Sequence, residues 1–264
     1  LAGSGTALVT GASSGIGAAY AERLARRGRG LVLVSRNAER LHALAERLRA
    51  EARVDVDVMP ADLTDSGDLR RVEERLRTDT SLAMLVNNAG ATMRSAFVGT
   101  PADDVERLVA LNVTAVARLA TVAAGAFAQR GSGTIVNVSS MVVVAPEQFR
   151  GVYGATKAFV LNLSLSLEAE LAPLGVRVQV LLPGATRTEI FERAGKTIDP
   201  ALARTFMDPG DFVDAALAGL DRGEVVTMPS LERPELWDAV TAARLQLLPE
   251  LSRSHPANRF AAVR

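Results

Sequence analysis

Thr6-Ala-Leu-Val-Thr10-Gly11-Ala-Ser-Ser-Gly15-Ile-Gly17, with Ala18–Arg27 following in helical periodicity, decides the architecture of this chain. Thr6–Thr10 is short, apolar and stopped by glycine, which reads as a buried strand. Strand, glycine-rich turn and helix in that order are the setting in which backbone N–H groups and a helix N-terminus hold a pyrophosphate. The glycine spacing is G-x-x-x-G-x-G and not the G-x-G-x-x-G of the general dinucleotide fingerprint. A plain tight turn, or the turn of a methyltransferase, carries similar glycines, so the rest of the chain has to decide.

Leu31–Val34 is a second apolar run and ends in Ser35-Arg36-Asn37. This is about twenty residues past the glycines, where an NAD-binding chain places an acidic residue on the adenosine ribose. Arg36 stands there instead. A guanidinium suits a 2′-phosphate dianion, and no nearby carboxylate is expected to repel it, so NADP(H) is preferred over NAD(H). Further strands are expected at Val54–Met59, Leu82–Val86, Thr134–Val138, Val176–Leu182 and Val225–Met228, with helices between them. Alternation of strands and helices over the whole length implies one doubly wound domain on a parallel sheet of about seven strands.

Several strand ends run into polar residues. Leu82–Val86 leads to Asn87-Asn88-Ala89-Gly90, and Val176–Leu182 to Pro183-Gly184-Ala185-Thr186-Arg187-Thr188. In open α/β sheets, ligands bind at the carboxyl ends of the strands. Thr100-Pro101 looks like an N-cap with an N1 proline, starting a helix to about Gln129. Within it, Asn112 lies between Leu111 and Val113, as a satisfied core amide or the mark of a kink. After Thr134–Val138 come Ser139 and Ser140, and then Tyr153-Gly-Ala-Thr-Lys157 opens a helix to about Leu171. Residues four apart share a helix face, so the Lys157 ammonium can favour the Tyr153 phenolate, whose ordinary pKa is about 10.

Composition narrows the classes. The 264 residues carry 30 Lys+Arg against 30 Asp+Glu, so no global field draws the chain to nucleic acid or anionic membrane. Cysteine is absent and only two histidines exist, His42 and His255, which removes disulfides, thiolate metal sites and a cysteine nucleophile and leaves no metal site expected. No unbroken apolar stretch approaches the roughly 18 residues of a membrane span. With a strand so near the N-terminus, a cytoplasmic protein is the expectation.

Taken together, Thr10–Gly17, Asp62-Leu63, Asn87–Gly90, Asn112, Ser140, Tyr153-x-x-x-Lys157 and Pro183-Gly184 resemble the short-chain dehydrogenase/reductase family, in order over about Thr6–Thr188. The resemblance implies a single Rossmann-type domain over 1–264, in which about 186–208 is a substrate lid, while the helical extension over about 234–264 departs from the family pattern. It implies a catalytic tetrad of Asn112, Ser140, Tyr153 and Lys157, the serine thirteen positions before the tyrosine being Ser140. It further implies cofactor contacts from Gly11, Ser13, Ser14, Gly15, Ile16, Gly17, Arg36, Asp62, Leu63, Asn88, Ala89, Gly90, Tyr153, Lys157, Pro183, Gly184, Thr186 and Thr188. Asn112, by the same resemblance, orders water linking Lys157 to solvent. The implied activity is carbonyl–alcohol interconversion by hydride transfer with NADP(H); the alternative is a non-catalytic NADP-binding regulator on the same fold.

Met93, Phe97, Met141, Phe149, Phe191 and Phe206 are the candidate pocket residues, which favours an apolar ketone or alcohol as substrate. The lid carries Gly195, Lys196 and Pro200 without a firm period. The helices around Leu108–Leu119 and Phe159–Leu171 hold more apolar residues than one buried stripe needs, and resemblance makes them the contacts of a homodimer or homotetramer. From Pro234 one helix is expected, with Leu236, Val240, Ala243, Leu247 and Leu251 in register.

Overall fold

The computed structural model describes residues 5–93, 97–149, 151–195 and 198–260. In β1 (Thr6–Thr10), Ala7 and Val9 enter one apolar layer and Leu8 the other, all fully buried. Successive strand residues point to opposite faces, so a strand covered on both sides reads as an unbroken apolar run. β2 (Leu31–Ser35), β3 (Val56–Pro60), β4 (Leu82–Asn87), β5 (Gly133–Val138), β6 (Val176–Leu181) and β7 (Val226–Thr227) complete a seven-stranded sheet in the order β3-β2-β1-β4-β5-β6-β7. Every pairing is parallel. The chain winds outward from β1 through β2 and β3, then returns to the other side of β1 with β4. At that reversal the carboxyl ends of β1 and β4 diverge and leave the crevice in which such sheets bind ligands.

α1 (Gly15–Arg26), α2 (Ala38–Ala52) and α9 (Pro209–Asp221) cover one face, packing Tyr20, Leu24, Leu41, Phe212 and Leu217 with Val9, Leu33 and Val86. α3 (Ser66–Thr78), α5 (Val116–Arg130) and α6 (Val152–Leu171) cover the other, through Val72, Leu76, Leu119, Phe127 and Leu171 against Leu8, Val32, Leu85 and Ile135. β3 begins two residues later than the alternation of Val54–Met59 predicts. Arg53 explains the delay: it closes α2 in the left-handed region, at φ 54°, and the turn consumes Val54 and Asp55.

α4 (Ala102–Val109) starts one residue after the expected N1 proline, since Pro101 with ψ 139° stays outside the helix. α4 and α5 are joined by a π turn over Ala110–Ala115, so the helical run extends from 102 to 130. By length and composition this run could cross a bilayer, although it holds no unbroken apolar stretch of that length and 44% of its apolar window is buried within the fold. Asn112, Arg118 and Thr121 interrupt the run in sequence, which is why no apolar stretch stands out there.

The segment expected to be a lid holds two short helical turns, α7 (Ile190–Arg193) and α8 (Pro200–Ala203), and its ends are joined by a bridge between Thr186 and Met207. Around that bridge Met207 N donates to Ala185 O at 3.0 Å and Arg187 N to Met207 O at 2.9 Å. The chain divides after Pro229 into two units. In the second, the single helix expected from Pro234 is two, α10 (Glu235–Leu245) and α11 (Leu248–Leu251). Pro249, lacking an N–H, cannot bond back to Leu245 and interrupts the ladder.

Candidate active site

The crevice at the switch point is built by glycines. Gly11 and Gly15 adopt φ of 67° and 54°, a region open to residues without a Cβ. At Gly17 a Cβ would stand 2.3 Å from the Gly11 carbonyl oxygen and 2.5 Å from Asn88 Nδ2. The Thr10 hydroxyl donates to Val86 O at 3.2 Å and accepts from the Asn88 and Ala89 amides, each at 3.0 Å. Asn88 Nδ2 donates to Thr10 O at 2.9 Å and more weakly to Gly11 O at 3.4 Å. The loops after β1 and β4 are therefore one stitched unit. Ser13 is half-buried and Ile16 packs on the core. Ser14 stands at the N-cap position of α1 without a side-chain hydrogen bond to the helix, whose first turn holds no acidic side chain. Orphan helix N–H groups and the positive end of the helix dipole, reached through a cradle that a Cβ would fill, fit a phosphate-bearing group.

Arg36, 73% exposed, lies at the end of β2. The expectation of no carboxylate nearby fails: Asp62 Oδ2 is 3.8 Å from its guanidinium, because β2 and β3 pair in parallel and deliver both strand ends to one edge. Burial would raise the Asp62 carboxyl, but hydrogen bonds from the Thr64 amide and hydroxyl, with the Arg36 charge, hold it below its ordinary value. Leu63 is buried in the core. On the far side, the Pro183 carbonyl accepts from the Met141 amide at 2.9 Å and the Gly184 carbonyl from the Thr186 hydroxyl at 3.2 Å. The Thr188 methyl packs so closely on Gly15 that a Cβ there would be 2.9 Å away.

Between these edges lie four polar side chains. The Ser139 hydroxyl donates to the Lys157 carbonyl at 2.7 Å, whereas the Ser140 hydroxyl accepts from the Val142 amide at 3.4 Å and acts to lower the pKa of the Tyr153 phenol. Lys157 is 5% exposed, and its ammonium donates to Val138 O at 2.9 Å and sits 5.9 Å from the Tyr153 ring centre. Burial lowers the Lys157 pKa to about 8. The sequence-based expectation of an acidified phenol does not hold for the protein alone: burial pushes the Tyr153 hydroxyl up, and the Ser140 hydrogen bond offsets this only in part.

Asn112 lies in the π turn and is fully buried. Its Oδ1 accepts from Ala91 N at 3.0 Å, and its Nδ2 donates to Ala91 O at 2.9 Å and to Thr156 Oγ1 at 3.1 Å. The amide is satisfied and the helix is locally widened, so both readings of this residue apply. Both N–H groups are engaged, while Oδ1, with one hydrogen bond accepted, keeps a second lone pair. Gly90 brings Asn112 and Lys157 together, since a Cβ on it would be 3.3 Å from Asn112 Oδ1 and from Lys157 Nζ. Of the pocket residues, Phe97, Met141 and Phe149 are exposed and Met93 half-buried, while Phe206 is buried at the lid base and belongs to the core. The Phe191 side chain and Lys196 lie outside the described residues.

A glycine cradle beside a Ser–Tyr–Lys–Asn cluster has its counterpart in one family: the short chain dehydrogenase model matches residues 5–199. The chain belongs to the short-chain dehydrogenase family. Among solved structures similar to it are a short-chain dehydrogenase from Sphingobium yanoikuyae in complex with NADPH, 50% identical, TM-score 0.93, covering 97% of this chain and 100% of that one. Another is the bulky-bulky ketone specific alcohol dehydrogenase from Comamonas testosteroni, also 50% identical, TM-score 0.90, covering 98% and 99%. Human 17-beta-hydroxysteroid dehydrogenase type 3 is 34% identical over 76% of this chain, and the chain spans 65% of that protein's length.

Several positions in this short-chain dehydrogenase that hold the site together escaped the sequence reading. Asn87 Nδ2 donates to Asn137 Oδ1 at 3.0 Å, and Asn137 Nδ2 to Ser164 Oγ at 2.9 Å, which straps α6 to the ends of β4 and β5. Thr156 links Asn112 to the Tyr153 carbonyl, to which its hydroxyl donates at 2.7 Å. The signal was present as asparagines inside apolar strands, where an unpartnered amide would be costly.

Proposed function

We propose that this dehydrogenase interconverts a carbonyl and an alcohol with NADP(H), and that Tyr153 is its general acid/base. The observation that carries the reading is the meeting of Ser140, Tyr153 and Lys157 beside the glycine cradle. The nicotinamide, when bound, supplies or accepts the hydride. In the reduction direction Ser140 donates a hydrogen bond to the substrate oxygen, and Tyr153 delivers its proton to that oxygen as negative charge develops. Lys157 would hold the nicotinamide ribose of a bound cofactor and lend its charge to the phenolate that remains. Since desolvation alone raises the phenol, its acidification depends on the loaded site: roughly 4 kcal/mol is needed to bring a pKa of about 10 near 7.

The preference for NADP(H) is supported by Arg36 at the ribose position and by the NADPH-bound relative. An apolar, bulky ketone is supported by exposed Phe97, Met141 and Phe149, and by relatives whose names refer to bulky ketones and hydroxysteroids. We further propose a homodimer or homotetramer. Tyr153→Phe is expected to lose at least 95% of ketone-dependent NADPH oxidation, about 2 kcal/mol of barrier, and to keep NADPH binding within about twofold by fluorescence. A variant that still turns over at a tenth of the parent rate would sink the role of Tyr153. Binding of NADPH without turnover of any carbonyl by the parent would favour the regulatory alternative.

A further inference from the structure

Three arginines from separate parts of the chain converge on the nucleotide end of the crevice. Arg36 ends β2, Arg40 lies in the first turn of α2, and Arg193 closes the first helical turn of the lid. Arg193 Nη2 donates to the Ser14 hydroxyl at 3.1 Å, directly on the turn that opens α1. One carboxylate, Glu189, sits between the other two: Arg40 Nη1 donates to both its oxygens at 2.9 Å, and Arg193 Nη2 to Oε2 at 2.5 Å. These groups are partly exposed, so their worth to stability is small. Their arrangement is that of an anion site with an anion of the chain's own in it.

We infer that Arg193 and Arg40 are further ligands of the cofactor's 2′-phosphate, and that Glu189 is the placeholder that occupies them until the phosphate arrives. The inference rests on the NADP(H) reading above and adds to it a contact from the lid. Arg36 alone faces Asp62, which takes up part of its charge. A phosphate dianion carries more charge and more acceptor oxygens than a carboxylate and can take a bidentate guanidinium. On its arrival the Arg193 guanidinium, already beside Ser14, turns from Glu189 to the phosphate. The lid residue that does so lies five positions beyond Thr188, whose methyl rests on Gly15. Closure of the lid over the substrate is thereby coupled to which dinucleotide is bound.

Binding can be read without turnover, by fluorescence of NADPH and NADH and by competition with adenosine 2′,5′-bisphosphate against AMP. Arg193→Ala is expected to weaken NADPH and the bisphosphate about tenfold, the scale of one charge-assisted ion pair, and NADH and AMP by less than about twofold. Arg193→Lys should restore part of the loss. Glu189→Gln should tighten NADPH a few-fold by freeing both guanidinia. Equal losses of both dinucleotides in Arg193→Ala, no loss of either, or a Glu189→Gln variant that binds NADPH unchanged or less tightly would overturn the inference while the parent still prefers NADPH. A parent protein that binds NADPH and NADH equally would overturn the NADP(H) reading and this inference with it. Arg193 and Glu189 are surface residues, and unchanged melting temperatures will separate these effects from unfolding.

Discussion

Burying an ammonium as deeply as that of Lys157 has a measurable signature. Its pKa of about 8 in the fold lies below the 10.5 of an exposed lysine, so between those values the unfolded chain binds more protons than the folded one. Stability therefore rises with pH across that window, and below about 8 the penalty is complete and constant. Removing the group in Lys157→Met should flatten the rise, the difference between parent and variant changing by about 3 kcal/mol between pH 7.5 and pH 10.5. Urea unfolding at the two pH values checks this; parallel curves would mean that Lys157 is solvated in the fold. The same desolvation acts oppositely on the two groups as acids: it makes the Tyr153 phenol a poorer one and the Lys157 ammonium a readier one.

At the level of elements, catalytic geometry depends on how α6 is held. Among the ties that fasten it are Ser139 to the Lys157 carbonyl, the Lys157 ammonium to Val138 O, Asn137 to Ser164, and Asn112 through Thr156 to the Tyr153 carbonyl. The last joins the π turn to the turn of α6 between tyrosine and lysine. Thr156→Val keeps the volume and leaves an Asn112 N–H unpartnered, so a loss of about 1–2 kcal/mol in stability is expected. If the tie also positions Tyr153, kcat falls with little change in NADPH affinity, and Thr156→Ser restores both. An unaltered kcat in a destabilised Thr156→Val would confine the residue to a structural part. Such ties mark where the sequence was legible and where it was not. β1, β2 and β4 stood out because burial on both faces leaves unbroken apolar runs, whereas the cap that Asn37 gives α2 was not singled out. Ser139 and Ser140 could be told apart only by resemblance in the sequence, whereas in the fold their hydroxyls face different partners. Arg53 in a left-handed cap carries no residue-type mark, and Ser164 is far in sequence from the Asn137 it serves. The Glu189–Arg193 pair sat in a segment without periodicity, and its partners Arg40 and Ser14 are about 150 and 180 positions away.

Over the whole molecule, apolar surface remains to be accounted for. α6 fully buries Gly154, Thr156, Lys157, Val160, Ser164 and Leu171, leaving Leu161, Leu163, Leu165 and Leu167 half-buried and Phe159 37% exposed. Apolar side chains left on both flanks of the buried stripe fit the proposed assembly of identical copies. Sedimentation at micromolar concentration is expected to give two or four times 27.9 kDa, and Phe159→Glu to shift the population toward the single chain. A parent protein sedimenting as a monomer would refute the assembly.

The bridge between Thr186 and Met207 has a consequence for how such a protein acquires new substrates. Both ends of the intervening segment are pinned to each other and to the end of β6, so the excursion leaves and re-enters the scaffold at one point. The entropy of closing a loop grows only slowly with its length. Beyond Thr188, which rests on Gly15, the chain up to Met207 can therefore be lengthened, shortened or exchanged for that of a relative with the sheet left where it is. The clasp turns the lid into a replaceable cassette, and the Glu189 and Arg193 contacts become the part of any graft that has to be retained.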